Sequence, residues 1–169
     1  MNPKFIGAIL IVSGFGCVGL IIVSNHKKTV YLMQQLIACF EYMECELSYR
    51  MTSLPELFRK LPSDSSILQR YFAILANELE GQISPDVSCC VSAALSQVND
   101  IPVLVKNGII EFGKNAGYFD IDGQLKGIVS TKERCINNLV SYTNNQDVRL
   151  RNYQALALCA GAAVVILLL

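Results

Sequence analysis

From Phe5 to Val23 the chain runs nineteen residues without a charge, about the length an α-helix needs to cross a bilayer core. Asn25, His26, Lys27 and Lys28 then mark a return to water, yet nothing there ends a helix. Between Gly19 and Pro55 there is no glycine, and between Pro3 and Pro55 no proline. Over that stretch Met33, Leu36, Phe40, Met43, Leu47 and Leu54 keep a three–four spacing, broken only at Arg50. Gln34, Gln35, Glu41, Glu44 and Glu46 fall on the other faces. The pattern predicts one helix, Phe5–Ser53, that starts in lipid and then lays a single apolar stripe against a core. At ~1.5 Å per residue it is roughly 70 Å long.

The far end of the sequence repeats the theme. Tyr153–Leu169 carries no charge and closes on Ile166-Leu167-Leu168-Leu169, so residues 153–169 are expected to form a second span. Two apolar ends explain a 52% hydrophobic composition and a mean hydropathy of +0.39, and they leave residues 27–150 for one small domain with a modest core. Lys27 and Lys28 follow the first span, and Arg149 and Arg151 precede the second. By the positive-inside rule the domain is cytoplasmic. A cleaved signal peptide is the rival reading, but its apolar core would be shorter and would not be followed at once by two lysines. Gly7, Gly14, Gly16 and Gly19, with the Ala157/Gly161 pair, permit close helix approach within the membrane, inside one chain or between copies.

Between the spans the signals are helical throughout. Ser53-Leu54-Pro55-Glu56 reads as a capping box with proline in the first turn, opening a short helix that stops before Pro62. Ser63 or Asp64 caps a third helix with Ile67, Leu68, Tyr71, Phe72, Leu75 and Leu79 on one face, ending at Gly81. Ser84-Pro85-Asp86 opens a fourth, bearing Val87, Val91, Ala94, Leu95 and Val98. Pro102 fits the first turn of a fifth, with Val105, Ile109 and Phe112, which exits through Gly113 and Gly117. Asp120-Ile121-Asp122 caps the last, whose inner face is sketched by Leu125, Val129, Ile136, Leu139 and Leu150; polar Asn144–Asp147 forms its neck. No alternating run between turn residues suggests a strand. The expected fold is all-α, an antiparallel bundle of about six helices whose long first and last members continue into transmembrane spans.

The same sequence excludes much chemistry. Its one histidine, His26, lies outside the domain core, so neither a Ser–His nor a Cys–His nucleophile pair can form there. Phosphate-loop and dinucleotide glycine motifs are absent. Seven cysteines include no C-x-x-C pair, giving no zinc pattern, and they read as small apolar residues of a reducing compartment. Residues 29–150 hold all 14 acids and 10 of the bases, a balance of −4. That is not a nucleic-acid footprint; a mildly acidic domain suits a basic protein partner. No catalytic residue, cofactor or metal is expected.

Three stretches, in order, carry a family resemblance. Glu44-Cys45-Glu46-Leu47-Ser48-Tyr49-Arg50-Met51-Thr52-Ser53-Leu54-Pro55 is similar to the E-x-E-[IL]-x-Y-G-x-T-P-L region of stage III sporulation AB proteins, with Arg50 where that family often has Gly. Phe112-Gly113-Lys114-Asn115-Ala116-Gly117-Tyr118-Phe119-Asp120, followed by Gln124, resembles its F-G-x-x-L-G-x-x-D…Q segment. The tail from Tyr153 through Gly161 to Leu169 resembles its ending. The resemblance implies a bundle similar to the cytoplasmic domain of the platform proteins of type II secretion and type IV pilus machines. It implies a location in the outer forespore membrane facing the mother cell. The implied partners are a secretion-type ATPase and other membrane subunits of a channel complex between mother cell and forespore, with a homo-oligomer as a further option.

On that footing the partner-binding surface is expected at the far end of the first helix, at Glu46, Tyr49, Thr52, Leu54, Pro55 and Glu56. Leu54 and Pro55 equally suit a plain, tight helix–helix turn. The competing class is an extracytoplasmic or generic membrane-anchored structural protein. A prepilin is disfavoured because the fifth position counted from Phe15 is Gly19 where glutamate is required.

Overall fold

The computed structural model describes residues 3–50, 53–81, 86–116 and 122–144, with side chains from residue 21 onward. Among the described residues there are six helices and no strand. They are α1 (Pro3–Arg50), α2 (Leu54–Arg59), α3 (Ser66–Glu80), α4 (Val87–Ser96), α5 (Val103–Asn115) and α6 (residues 122–144). The expected all-α bundle is what the chain forms, and the expected long first helix is one unbroken element of 48 residues. The chain divides into two compact units, Thr29–Leu139 and a second made of Met1–Lys28 with Val140–Leu169. Of the expected spans, 5–23 is helical as part of α1, but its side chains to residue 20, and all of 153–169, lie outside the described residues. Among the described residues no helix is long and apolar enough to cross a membrane.

Within Thr29–Leu139 the stripe on α1 does what its spacing dictates: Met33, Leu36, Phe40 and Met43 are fully buried and Leu47 nearly so. Phe40 stacks on Phe112 of α5 at 5.3 Å, Phe112 meets Phe58 of α2 edge-on at 5.9 Å, and Phe58 stacks on Phe72 of α3 at 5.7 Å. One line of rings therefore joins four helices. A methyl group added at Gly108 of α5 would touch Leu36 of α1 and Cys135 of α6. With Leu36 beside Gly108 and Phe40 beside Phe112, α1 and α5 run parallel. Going up α6, Gly127 and Thr131 lie against Asn115, Arg134 against Glu111 and Cys135 against Gly108, so α6 returns antiparallel to both.

Polar contacts decorate this core. Lys132 on α6 reaches Glu44 on α1 at 2.5 Å, Arg134 reaches Glu111 at 2.6 Å, and Arg59 reaches Glu80 at 2.6 Å. An exposed ion pair contributes about 0–1 kcal/mol, whereas a buried Leu or Phe contributes roughly 1.5–3. The packing of the stripe, and not the pairs, fixes the arrangement.

Local chemistry departs from the sequence reading at four points. Ser53 is the N-cap of α2, but its side chain makes no capping bond; Glu56, which was to complete the box, is drawn away by Lys60 at 2.7 Å. α3 is capped by Ser65, whose hydroxyl accepts from the Leu68 amide, and not by Ser63 or Asp64. Those two serve the turn before it: Ser63 Oγ accepts from the Ser65 amide, and the Asp64 amide donates to Gln35 on α1. Gly113 is not an exit but a buried contact, where a Cβ would stand 3.0 Å from Val91 of α4; α5 ends at Asn115, with Ala116 as its C-cap. Gly117, Asp120 and Ile121, like Ser84 and Pro85, lie outside the described residues, although Asp86 does cap α4 by accepting from the Ser88 amide. On α6 the buried positions are Gly127, Ile128, Thr131 and Cys135. Of the expected face, Leu125 and Leu139 pack half-buried against the core, Ile136 is 38% exposed, and Leu150 lies outside the described residues.

The cysteines split. Cys39, Cys90 and Cys135 are buried core residues, as expected, but Cys45 and Cys89 are exposed. Burial pushes the Cys39 and Cys135 thiols from the ordinary 9.0 up to about 12. Because the thiolate is the reactive form, a maleimide should label Cys45 and Cys89 rapidly in the folded protein and Cys39, Cys90 and Cys135 only after denaturant. Fast labelling of Cys39 or Cys135 would contradict this core. The linkage has a definite sign. The unfolded chain releases these protons near pH 9 while the folded one keeps them, so stability present below pH 9 is lost as pH rises toward 12, by an amount on the order of a few kcal/mol.

Candidate functional site

Five of the six residues expected to face a partner are described, and they gather where α1 ends and α2 begins. Thr52 lies outside the described residues. Tyr49 is 85% exposed, the most exposed large apolar or aromatic side chain among the described residues. It stands off the buried stripe, two positions past Leu47, so no neighbouring helix covers it. Leu54 is only partly buried and packs against the core edge, and Pro55, also half-buried, occupies the first turn of α2. These two serve the turn more than a surface. Leu57 and Phe58, one step on, anchor α2 in the core.

The two carboxylates differ. Glu56 is exposed and bound to Lys60, whose hydrogen bond and charge hold the Glu56 carboxyl below the usual range. The Lys60 ammonium is raised in turn, first by that hydrogen bond and the Glu56 charge, with smaller help from Tyr42 and Glu46. Glu46 is a different case: its side chain is 14% exposed and lies 3.3 Å from the guanidinium of Arg50, which is itself 74% exposed. Glu46 therefore positions Arg50 and is not a free acidic contact. The corner presents the Tyr49 ring, the Arg50 guanidinium and the Glu56–Lys60 pair.

Arg50 and Lys60 were missed by the sequence reading. Both stand four residues after a glutamate, the orientation that favours an ion pair on a helix, and that spacing was the available signal. Tyr and Arg are also the types enriched where protein partners bind. Among the described residues no group of three or more His, Cys, Asp or Glu side chains could hold a metal ion. A cavity of about 370 Å³ between α5 and α6 is lined by Asn115, Gly123, Lys126, Gly127 and Ser130, with a single titratable side chain.

What the fold and this corner define is an all-helical bundle protein whose first helix ends in an exposed Tyr–Arg surface. The family model for stage III sporulation protein AB matches residues 4–169, and the chain belongs to that family. No curated protein and no solved structure matches it.

Proposed function

We propose that this stage III sporulation protein is a non-enzymatic, membrane-anchored adaptor in a sporulation-specific, secretion-like channel complex. Its bundle faces the mother-cell cytoplasm from the outer forespore membrane and links a cytoplasmic secretion-type ATPase to the membrane subunits. The observation that carries this reading is the unbroken α1, which joins the uncharged Phe5–Val23 stretch to the Tyr49–Arg50 corner in one helix of 48 residues. Coupling between distant sites needs a physically continuous element, and α1 is one. Its core face is held by the Phe112 ring of α5 and its flank by Lys132, so a push on the corner is shared by the packed unit.

The test is co-purification of the ATPase with the full chain carrying Tyr49→Ala, Glu56→Lys, or both. Neither side chain belongs to the buried core, so helicity and melting should be unchanged while ATPase recovery falls at least tenfold for the double variant, the loss of about 1.4 kcal/mol or more expected of an interface anchor. Undiminished recovery with an intact fold would remove this corner from the interface.

A further inference from the structure

Five ion pairs occupy five cations and five glutamates of the Thr29–Leu139 unit. Glu41 on α1 and Lys106 and Lys114 on α5 are exposed and belong to none of them. Each stands on a helix face turned away from the core. On α1 that face carries Ala38, Glu41 and Cys45; on α5 it carries Val103, Lys106 and Ile110. Val103 is 74% exposed, Cys45 is exposed, and Ala38 and Ile110 are half-buried. The two faces look in opposite directions. Leu36 and Phe40 of α1 meet Gly108 and Phe112 of α5. Two residues make roughly half a helical turn, and that is the step from Ala38 to both Leu36 and Phe40, and from Ile110 to both Gly108 and Phe112.

We propose that these two faces bind each other between copies of the chain, α1 of one lying parallel to α5 of the next in a head-to-tail row. What each face offers selects the other as its occupant. Both repeat at three and seven residues, so one parallel register makes three matches at once. Val103 covers the small Ala38, Lys106 meets Glu41, and Ile110 covers the small Cys45. Lys106 and Glu41 have opposite charge, and each is exposed and in no ion pair of its own chain. Lys114, four residues past Ile110, then comes beside the Tyr49 corner of the neighbouring copy. Nearby charges leave the match intact: Glu44, Glu111 and Arg50 are already paired, Asp100 precedes α5, and Lys27 and Lys28 lie ten or more residues before Ala38. Because α1 and α5 are parallel within one chain, this contact keeps successive copies pointing the same way. A heterologous contact of that kind closes into a ring or runs on as a filament. It is independent of what the Tyr49 corner binds.

So short a contact falls below the ~800 Å² per partner of a standard complex, so it is sought at cellular density. The full chain carries Cys17→Ser, Cys89→Ser and Cys159→Ser, which leaves Cys45 as the exposed thiol among the described residues. Ile110→Cys is added and freshly broken cells are mildly oxidised. A disulfide needs Cα atoms within about 7 Å. The expected result is a ladder of dimers, trimers and larger species on a non-reducing gel, absent without Ile110→Cys. Glu41→Lys or Lys106→Glu should each cut cross-linking at least tenfold, and the two together should restore it. Should Ile110→Cys lower the melting temperature, Glu41→Cys with Lys106→Cys and Cys45→Ser tests the same register at exposed positions. Absence of a ladder overturns the contact. A dimer through Cys45 alone means that α1 faces a second α1, and a ladder through Val103→Cys in place of Ile110→Cys means an antiparallel pair; either result overturns it. So does a ladder indifferent to both charge reversals, or one that the paired reversal fails to restore.

Discussion

Replacing Phe112 by alanine should lower folding stability by about 3–5 kcal/mol, the range for removing a buried aromatic ring. Phe112 is 1% exposed and touches two rings on other helices, Phe40 of α1 and Phe58 of α2. Its loss leaves a void at the meeting point of three helices, and such a site cannot collapse without moving one of them. Phe112→Leu keeps most of the volume and should cost less than half as much. The two variants are compared by denaturant unfolding of the chain followed by far-ultraviolet circular dichroism. A cost below about 1.5 kcal/mol for the alanine would mean that the ring line is not the centre of the core.

Gly127→Ala should destabilise by about 2–4 kcal/mol, although helix propensity alone says the opposite. In an exposed helix interior alanine is better than glycine by roughly 0.8–1 kcal/mol. Here the added Cβ would fall against the backbone carbonyl of Asn115 at the end of α5, and its second contact, at 3.0 Å, is also backbone. A backbone cannot swing aside as a side chain does. To admit the methyl, α6 must lift from α5, loosening the bond from Asn115 Nδ2 to Thr131 Oγ1 at 3.0 Å. The sign of the change in melting temperature decides the matter: an increase would show that α5 and α6 do not approach as closely as described.

How much of this was written in the amino-acid order depends on the kind of force involved. The stripe from Met33 to Leu47 was legible because five large apolar residues repeat at the helical period with no competing pattern. The face of α6 was legible at Leu125 and Leu139 but not at Ile136, because its most buried positions include Thr131 and Cys135, residues whose burial depends on what the other helices offer them. Thr131 is accepted into the core only because its hydroxyl donates back to the Gly127 carbonyl at 2.8 Å while accepting from Asn115. Caps were legible as regions and not as residues, since Ser63, Asp64 and Ser65 are all competent and tertiary contacts from Gln35 settle the choice. At the candidate site Tyr49 was legible because it lies off the stripe. The low exposure of Glu46 was not legible, because it follows from its position three residues past the buried Met43, while its ion-pair partner Arg50 stands in solvent.

The antiparallel pairing of α1 and α6 has a consequence beyond packing. Thr29 and Leu139, where the compact unit begins and ends, are set at one end of it, like the two leads of an electrical plug. A module wired in that way interrupts a host polypeptide without stretching it. Its two leads can be spliced by a short linker and new termini opened between α3 and α4 with the core left whole. Such a cassette can be passed between flanking segments of different sequence, which leaves those segments free to diverge while the interior of the bundle stays under constraint.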